Sequence, residues 1–425
     1  MPDEHLPVGD VSALVGDLVD QSMCTVESGT AGRRFRLLEP MRQFALDELA
    51  LDESDSDLRR RHADHVRDQI VRIRHLLAGP REIDGVAELT EIWPNLRSAV
   101  DWAIDRNDLS LATDLVWPIV SQGFLRRGLG ELRDWIERIM EIAGPDDESA
   151  IADGLLWTAL YYVMTEDRSD FHHLIDRFGE PDLIFARLAR LVMDGDESAV
   201  VSAAPEAIAE ARRRDDNLLA DLFAVLVAGN MISCGQLDEA ESYADGIVER
   251  VEGTMPPTVL NWLQYIIATV RAIRGDVAGA DAIYDRIASM PLPPRTNSPN
   301  ETLAARRAFR TGDHQSAYAI LASYIGELLV VGNVSGAGVV GLEFVNMMVD
   351  TEQLAEAAFM LGYFETSGVL DVDGDGFKVL LVESSMLVDA NPRAAQLRAE
   401  AAARQLTPRH ALEYMADTLD RLAKV

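Results

Sequence analysis

A chain of 425 residues with 48% hydrophobic residues carries ample apolar surface for packed cores, which excludes a disordered or fibrous protein. Its 71 Asp and Glu against 39 Lys and Arg give a net charge of −32; a surface that acidic repels phosphate backbones, so direct binding of DNA or RNA is not expected. Two cysteines, Cys24 and Cys234, are too few for a disulfide framework or a four-thiolate zinc site, and a reducing cytoplasm fits them; no stretch approaches the roughly 18 apolar residues of a membrane span, so the expected protein is soluble and cytoplasmic.

Val11, Leu14, Val15, Leu18 and Val19 recur at helical spacing. Met23 to Glu27 and Arg33 to Leu38 are β-rich and joined by Ser-Gly-Thr-Ala-Gly, which predicts a hairpin, and a helix follows from Pro40 to Ala50. Helix, hairpin and helix predict a partial winged-helix segment over residues 1–51. Beyond the polar linker Asp52-Glu-Ser-Asp55 the pattern becomes helix after helix, as in Leu129, Leu132, Trp135, Ile136 and Ile139. Residues 52–144 read as a helical adaptor region and 145–425 as tetratricopeptide-like helical repeats. The expected fold is therefore mainly α: a tetratricopeptide-like α-α superhelix with a small partial winged-helix segment at its N-terminus.

The repeat reading rests on Gly235-Gln-Leu-Asp-Glu-Ala240, Gly275-Asp-Val-Ala-Gly-Ala280 and Gly312-Asp-His-Gln-Ser-Ala317, with looser copies at Gly195 and around Glu352 to Ala357. In each, glycine would let the chain turn between two helices, and alanine would let those helices approach closely. The first helix of each hairpin would line a concave groove, with Asn230, Trp262, Tyr265 and Arg306 as its candidate residues.

One basic region opposes the global acidity. Arg60, Arg67 and Arg74 repeat every seven positions and so form one helical stripe, near Arg33 and Arg34 of the hairpin. The stripe reads either as a solvated face balanced by acidic neighbours or as a docking surface for a partner.

Leu18-Val-Asp-Gln-Ser22, Arg34-Phe-Arg-Leu-Leu-Glu-Pro-Met-Arg-Gln-Phe-Ala45 and Leu58-Arg-Arg-Arg-His-Ala-Asp64 together resemble a known join. It is the end of the winged helix in the NB-ARC-type signal-transduction ATPases (the STAND class) of actinobacterial transcriptional regulators, leading into their helical repeats. Glu91-Ile-Trp-Pro-Asn-Leu-Arg-Ser-Ala-Val-Asp-Trp-Ala103 is similar to the next segment of that family; Ala357-Ala-Phe-Met-Leu-Gly362 and Leu406-Thr-Pro-Arg-His-Ala-Leu-Glu-Tyr-Met415 are similar to its closing helices. The ATPase core itself has no counterpart: the only lysines are Lys378 and Lys424, and neither follows a glycine-rich phosphate loop.

The resemblance implies a non-catalytic signal-sensing and protein-interaction module, the sensor half of a larger switch. It would take a protein partner, a peptide or a small-molecule effector in the repeat groove, with a nucleotide-binding domain as a further partner and no cofactor. A stand-alone adaptor that binds a peptide or protein segment is the alternative. Other motifs have plainer readings. Asp371-Val-Asp-Gly-Asp-Gly376 imitates the start of a calcium loop, but its twelfth position is Val382, with Glu383 one place late, so a solvated loop is expected. Gly336-Ala-Gly-Val-Val-Gly341 fits a dinucleotide fingerprint but follows a predicted helix, so close helix packing is expected. His62 with His65, and His172 with His173, lack the further ligands of a metal site.

Overall fold

The computed structural model describes residues 8–29, 32–49, 55–126, 130–165, 169–251, 253–366 and 380–424. The Asp371–Gly376 run, the tip of the predicted hairpin loop and most of the predicted 52–55 linker lie outside the described residues. The described chain is mainly helical with one two-stranded sheet. No helix among the described residues is long and apolar enough to cross a membrane.

The chain divides into two compact units, Met1–Ile119 with Glu141–Ala143, and Val120–Met140 with Gly144–Val425. The first holds α1 (Val8–Asp20), β1 (Cys24–Gly29), β2 (Gly32–Leu37), α2 (Glu39–Leu49), α3 (Asp55–Leu77), α4 (Glu82–Asp105) and α5 (Leu109–Val116). The helix, hairpin and helix predicted at the start are present, with β1 and β2 antiparallel and Cys24 opposite Leu37. On α3, Ala63, Val66, Ile70, Ile73 and Leu77 alternate spacings of three and four, so one stripe is buried. It packs on α4, which buries Leu89, Ile92, Leu96, Val100 and Ala103.

The second unit opens with α6 (Ser121–Leu125), α7 (Gly130–Ile142), α8 (Glu148–Thr165) and α9 (Ser169–Phe178). Paired helices follow: α10 (Ile184–Asp194) with α11 (Glu197–Arg213), α12 (Asn217–Ser233) with α13 (Leu237–Val251), α14 (Pro257–Ile273) with α15 (Val277–Ile287), α16 (Asn300–Arg310) with α17 (His314–Val331), and α18 (Ala337–Asp350) with α19 (Leu354–Thr366). The repeated sequence pattern explains each turn. Gly275 and Gly312 take a φ of +85°, a left-handed conformation that ends the first helix cheaply only for glycine. The next residue, Asp276 or Asp313, then caps the second helix by accepting the Gly279 or Ser316 N–H at 3.0 and 3.1 Å. Ala240, Ala280, Ala317 and Ala357 are all fully buried where the paired helices meet. In the last pair Glu352 adopts the left-handed turn without glycine, at a φ of +58°.

The array then departs from simple stacking. α20 (Val382–Asp389) and α21 (Pro392–Ala403) pack on α19, but α22 (Pro408–Leu422) returns to pack on α17 and α18. Gly362 permits the α19–α21 crossing, since a Cβ there would lie 2.4 Å from the Arg398 carbonyl oxygen. The Gly336–Gly341 motif lies at the start of α18, with Gly341 against the Phe364 ring, and the element directly before it is the helix α17 rather than a strand.

Candidate functional site

Adjacent first helices α14, α16 and α18, together with α15 and α20, enclose a recess of about 500 Å³. Tyr265 and Tyr284 form an aromatic wall, with ring centroids 5.7 Å apart. Arg306 crosses the floor: it donates to Glu343 at 2.7 Å and to Asp281 at 3.4 Å, while its guanidinium lies 5.3 Å from the centre of the Tyr284 ring. Arg310 shares Asp281 at 2.8 Å. Burial opposes the charge of Arg306, but Glu343, Tyr284 and Asp281 together outweigh it and hold the guanidinium more firmly protonated than usual. Burial, reinforced by Tyr284 and Glu343, pushes the Tyr265 hydroxyl well above its ordinary range, so it stays a neutral hydrogen-bonding group. Ser384 donates to Asn346 at 3.0 Å at the α20 side of the recess.

Of the residues expected in the groove, Tyr265 and Arg306 come together here. Trp262 lies on the same helix but lines a separate apolar cavity, and its Nε1 donates to the Asn297 carbonyl at 2.9 Å. Asn230 lines neither recess; its carbonyl accepts the Cys234 N–H where α12 ends. Sequence reasoning missed Asp281, Tyr284 and Glu343. Asp281 and Tyr284 sit on α15, the second helix of its pair, whereas the sequence pattern points to first helices for the groove, and Glu343 follows a glycine motif that reads as close helix packing.

In the first unit, the basic stripe is matched by acids of its own unit. Arg60 pairs with Asp64 at 3.3 Å and with Asp108 at 2.7 Å; Asp108 also caps α5 through the Leu111 N–H. Arg67 pairs with Asp64 at 3.3 Å and reaches Asp114 at 4.0 Å. Arg74 is half-buried in the last turn of α3. Arg34 joins β2 to α4 through Glu91, while Arg33 is exposed on β2. The hairpin leaves apolar surface open: Val26 and Phe35, directly opposite in register, are 45% and 52% exposed, and Phe44 of α2 is 60% exposed. Burial lowers the pKa of His62, and the neighbouring charge of His65 adds to this. Among the described residues no group of three or more His, Cys, Asp and Glu side chains could hold a metal ion.

Proteins named HTH-type transcriptional regulator, from Mycobacterium bovis and Mycobacterium tuberculosis, are each 30% identical to this chain over 127 residues. That match covers 29% of this chain and 14% of each relative. No family model matches the chain, and no solved structure does. The chain is thus similar to transcriptional regulators over a limited stretch.

Proposed function

We propose that this chain is a non-catalytic signal-sensing and protein-interaction module of a STAND-type transcriptional regulator. An effector or partner segment would bind in the repeat groove and bias an ATPase switch between its states, so the chemistry is differential binding rather than bond breaking. The observation that carries the reading is the recess of α14, α16 and α18. It combines an aromatic wall with an arginine held in place by two carboxylates, so its polar groups are oriented before anything binds. Its lining sets Glu343, Asp350 and Glu383 against Arg306 and Arg310, and an acidic excess of this kind suits a peptide or protein segment of mixed composition better than a bare anion.

The exposed pair Val26 and Phe35 favours a module attached to a further domain over a stand-alone adaptor, because an apolar hairpin face is stable when covered. The similarity to transcriptional regulators supports the same reading. The test is to add the chain in trans to a separately expressed nucleotide-binding domain of the STAND class and measure ATP turnover. A saturable change in turnover, lost in a Val26→Ser with Phe35→Ser variant that keeps its helical melt, is expected. No association and no change in turnover would overturn the switch reading and leave the adaptor.

A further inference from the structure

A second recess, of about 260 Å³, lies within the same unit on the other side of Trp262. Its wall is built from Phe124 and Leu125 of α6, Leu160 and Val163 of α8, and Leu222 and Leu226 of α12, so it is almost wholly apolar. Long-range backbone bonds hold this wall in place. The Asn297 N–H donates to the Leu125 carbonyl at 2.8 Å, and the Val334 N–H donates to the Met164 carbonyl at 2.7 Å. Arg126 pairs with Thr296 in an isolated antiparallel bridge, and Tyr161 donates to the Val120 carbonyl at 3.3 Å. Loops 288–299 and 332–336 are thereby strapped to the ends of α6 and α8. Such a cavity cannot shrink cheaply around its empty space, because collapse would break these bonds.

Among the described lining residues, Asn297 and Ser335 bring polar groups to the wall, and so does Trp262, whose indole N–H is taken up by the Asn297 carbonyl. Ser335 is spent on Asn333, to which its hydroxyl donates at 2.8 Å. Asn297 uses its N–H on Leu125 and its carbonyl on Trp262, which leaves its carboxamide without a hydrogen bond to any described residue. One donor and acceptor at the margin of a preformed apolar recess is the pattern of a small-molecule site.

We infer that this cavity is a binding site for a small, predominantly apolar molecule of about ten non-hydrogen atoms, oriented by one hydrogen bond to the Asn297 carboxamide. The size follows from comparison: an apolar cavity of roughly 150 Å³ holds benzene, and this one is larger. Val163, 42% exposed, marks the open side through which the molecule enters. The site is independent of the polar groove, and it stands or falls separately from the switch reading.

The test uses the full chain and two probes of about ten non-hydrogen atoms each: 5-fluoroindole, whose N–H the Asn297 carboxamide can accept, and naphthalene, which has no polar group. Fluorine NMR should show saturable one-to-one binding of 5-fluoroindole, displaced by naphthalene. Val163→Trp, at an exposed position, should weaken both at least tenfold while the circular dichroism melt is unchanged. Asn297→Ala keeps both backbone bonds and should weaken 5-fluoroindole roughly threefold to tenfold, the worth of one net hydrogen bond, and leave naphthalene within about twofold. Methyl spectra of the unsubstituted chain provide a readout that needs no variant: Val163, Leu222 and Leu226 should shift on adding either probe. Absence of saturation by both probes would overturn the site, as would methyl shifts confined to other residues. Self-association that Val163→Trp abolishes, with no probe bound, would instead assign the recess to a second copy of the chain and would equally overturn it.

Discussion

Trp262 and Tyr265 touch edge to face, with ring centroids 5.8 Å apart and planes at 85°, yet each lines a different recess. They stand three residues apart on α14, so one helical turn separates the apolar cavity from the polar groove. The Trp262 Nε1–H also anchors loop 288–299 through the Asn297 carbonyl. Trp262→Phe keeps a ring beside Tyr265 and removes that bond together with the outer part of the indole. The expected cost is about 1 to 3 kcal/mol in a denaturant melt, the bond and the lost packing together, with faster proteolytic cleavage inside the loop. Unchanged cleavage would mean that the loop is held by its bonds to Leu125 and Arg126 alone.

Gly362 and Gly326 offer an internal comparison. A Cβ on Gly362 meets the Arg398 carbonyl oxygen at 2.4 Å and the Ala401 Cβ at 2.7 Å, and backbone cannot swing aside as a side chain can. Gly362→Ala should destabilise by about 1 to 3 kcal/mol through separation of α19 from α21. Gly326 lies inside α17 with open space around its missing Cβ, so Gly326→Ala should stabilise by up to about 1 kcal/mol through helix propensity. Thermal melts of the two variants should move in opposite directions.

Asp221 on α12 carries a carboxyl that burial pushes up to about 6, with only the charge of Arg212 opposing the shift. Its folded-state pKa lies above its ordinary 3.8, so the folded chain holds this proton more tightly than the unfolded chain. Stability attributable to this group therefore falls as pH rises from about 4 through about 6, and the burial cost is complete above that. Asp221→Asn should be close to neutral near pH 3, where both states are protonated, and stabilising by about 1 to 2 kcal/mol at pH 7.5, with about half of that gain already present at pH 5; the figure lies below the full shift because water screens a partly exposed group. Urea melts of both proteins across that range check the sign.

Reversing Arg60 and Arg67 together sets glutamates against Asp64, Asp108 and Asp114. These pairs are solvent-accessible, so the loss in stability should stay near or below about 1 kcal/mol for each. If the stripe docks a partner, association with the nucleotide-binding domain should weaken more than the melt does, and wild-type association should itself fall with salt. Equal affinity for Arg60→Glu with Arg67→Glu and for wild type, at low and moderate salt, would leave the stripe serving only its own acids.

The elements set by neighbouring residues were legible in the sequence. Helical periodicity, the Ser-Gly-Thr-Ala-Gly hairpin signal, and the glycine-to-alanine spacing at Gly235, Gly275 and Gly312 act within one or two turns of chain, and each appears in the structure with its ends shifted by a residue or two. Tertiary structure alone decided which distant groups meet. Arg60 finds Asp108, Arg306 finds both Asp281 and Glu343, Asn297 straps Leu125, and α22 returns to α17 past its chain neighbours. Tyr265 and Trp262 fall into separate recesses because the rotation of α14 against α12 and α16 is set by packing across several hairpins. No local pattern carries that information: a 3.6-residue period says which face of a helix is buried, and only the neighbouring helices decide what that face encloses.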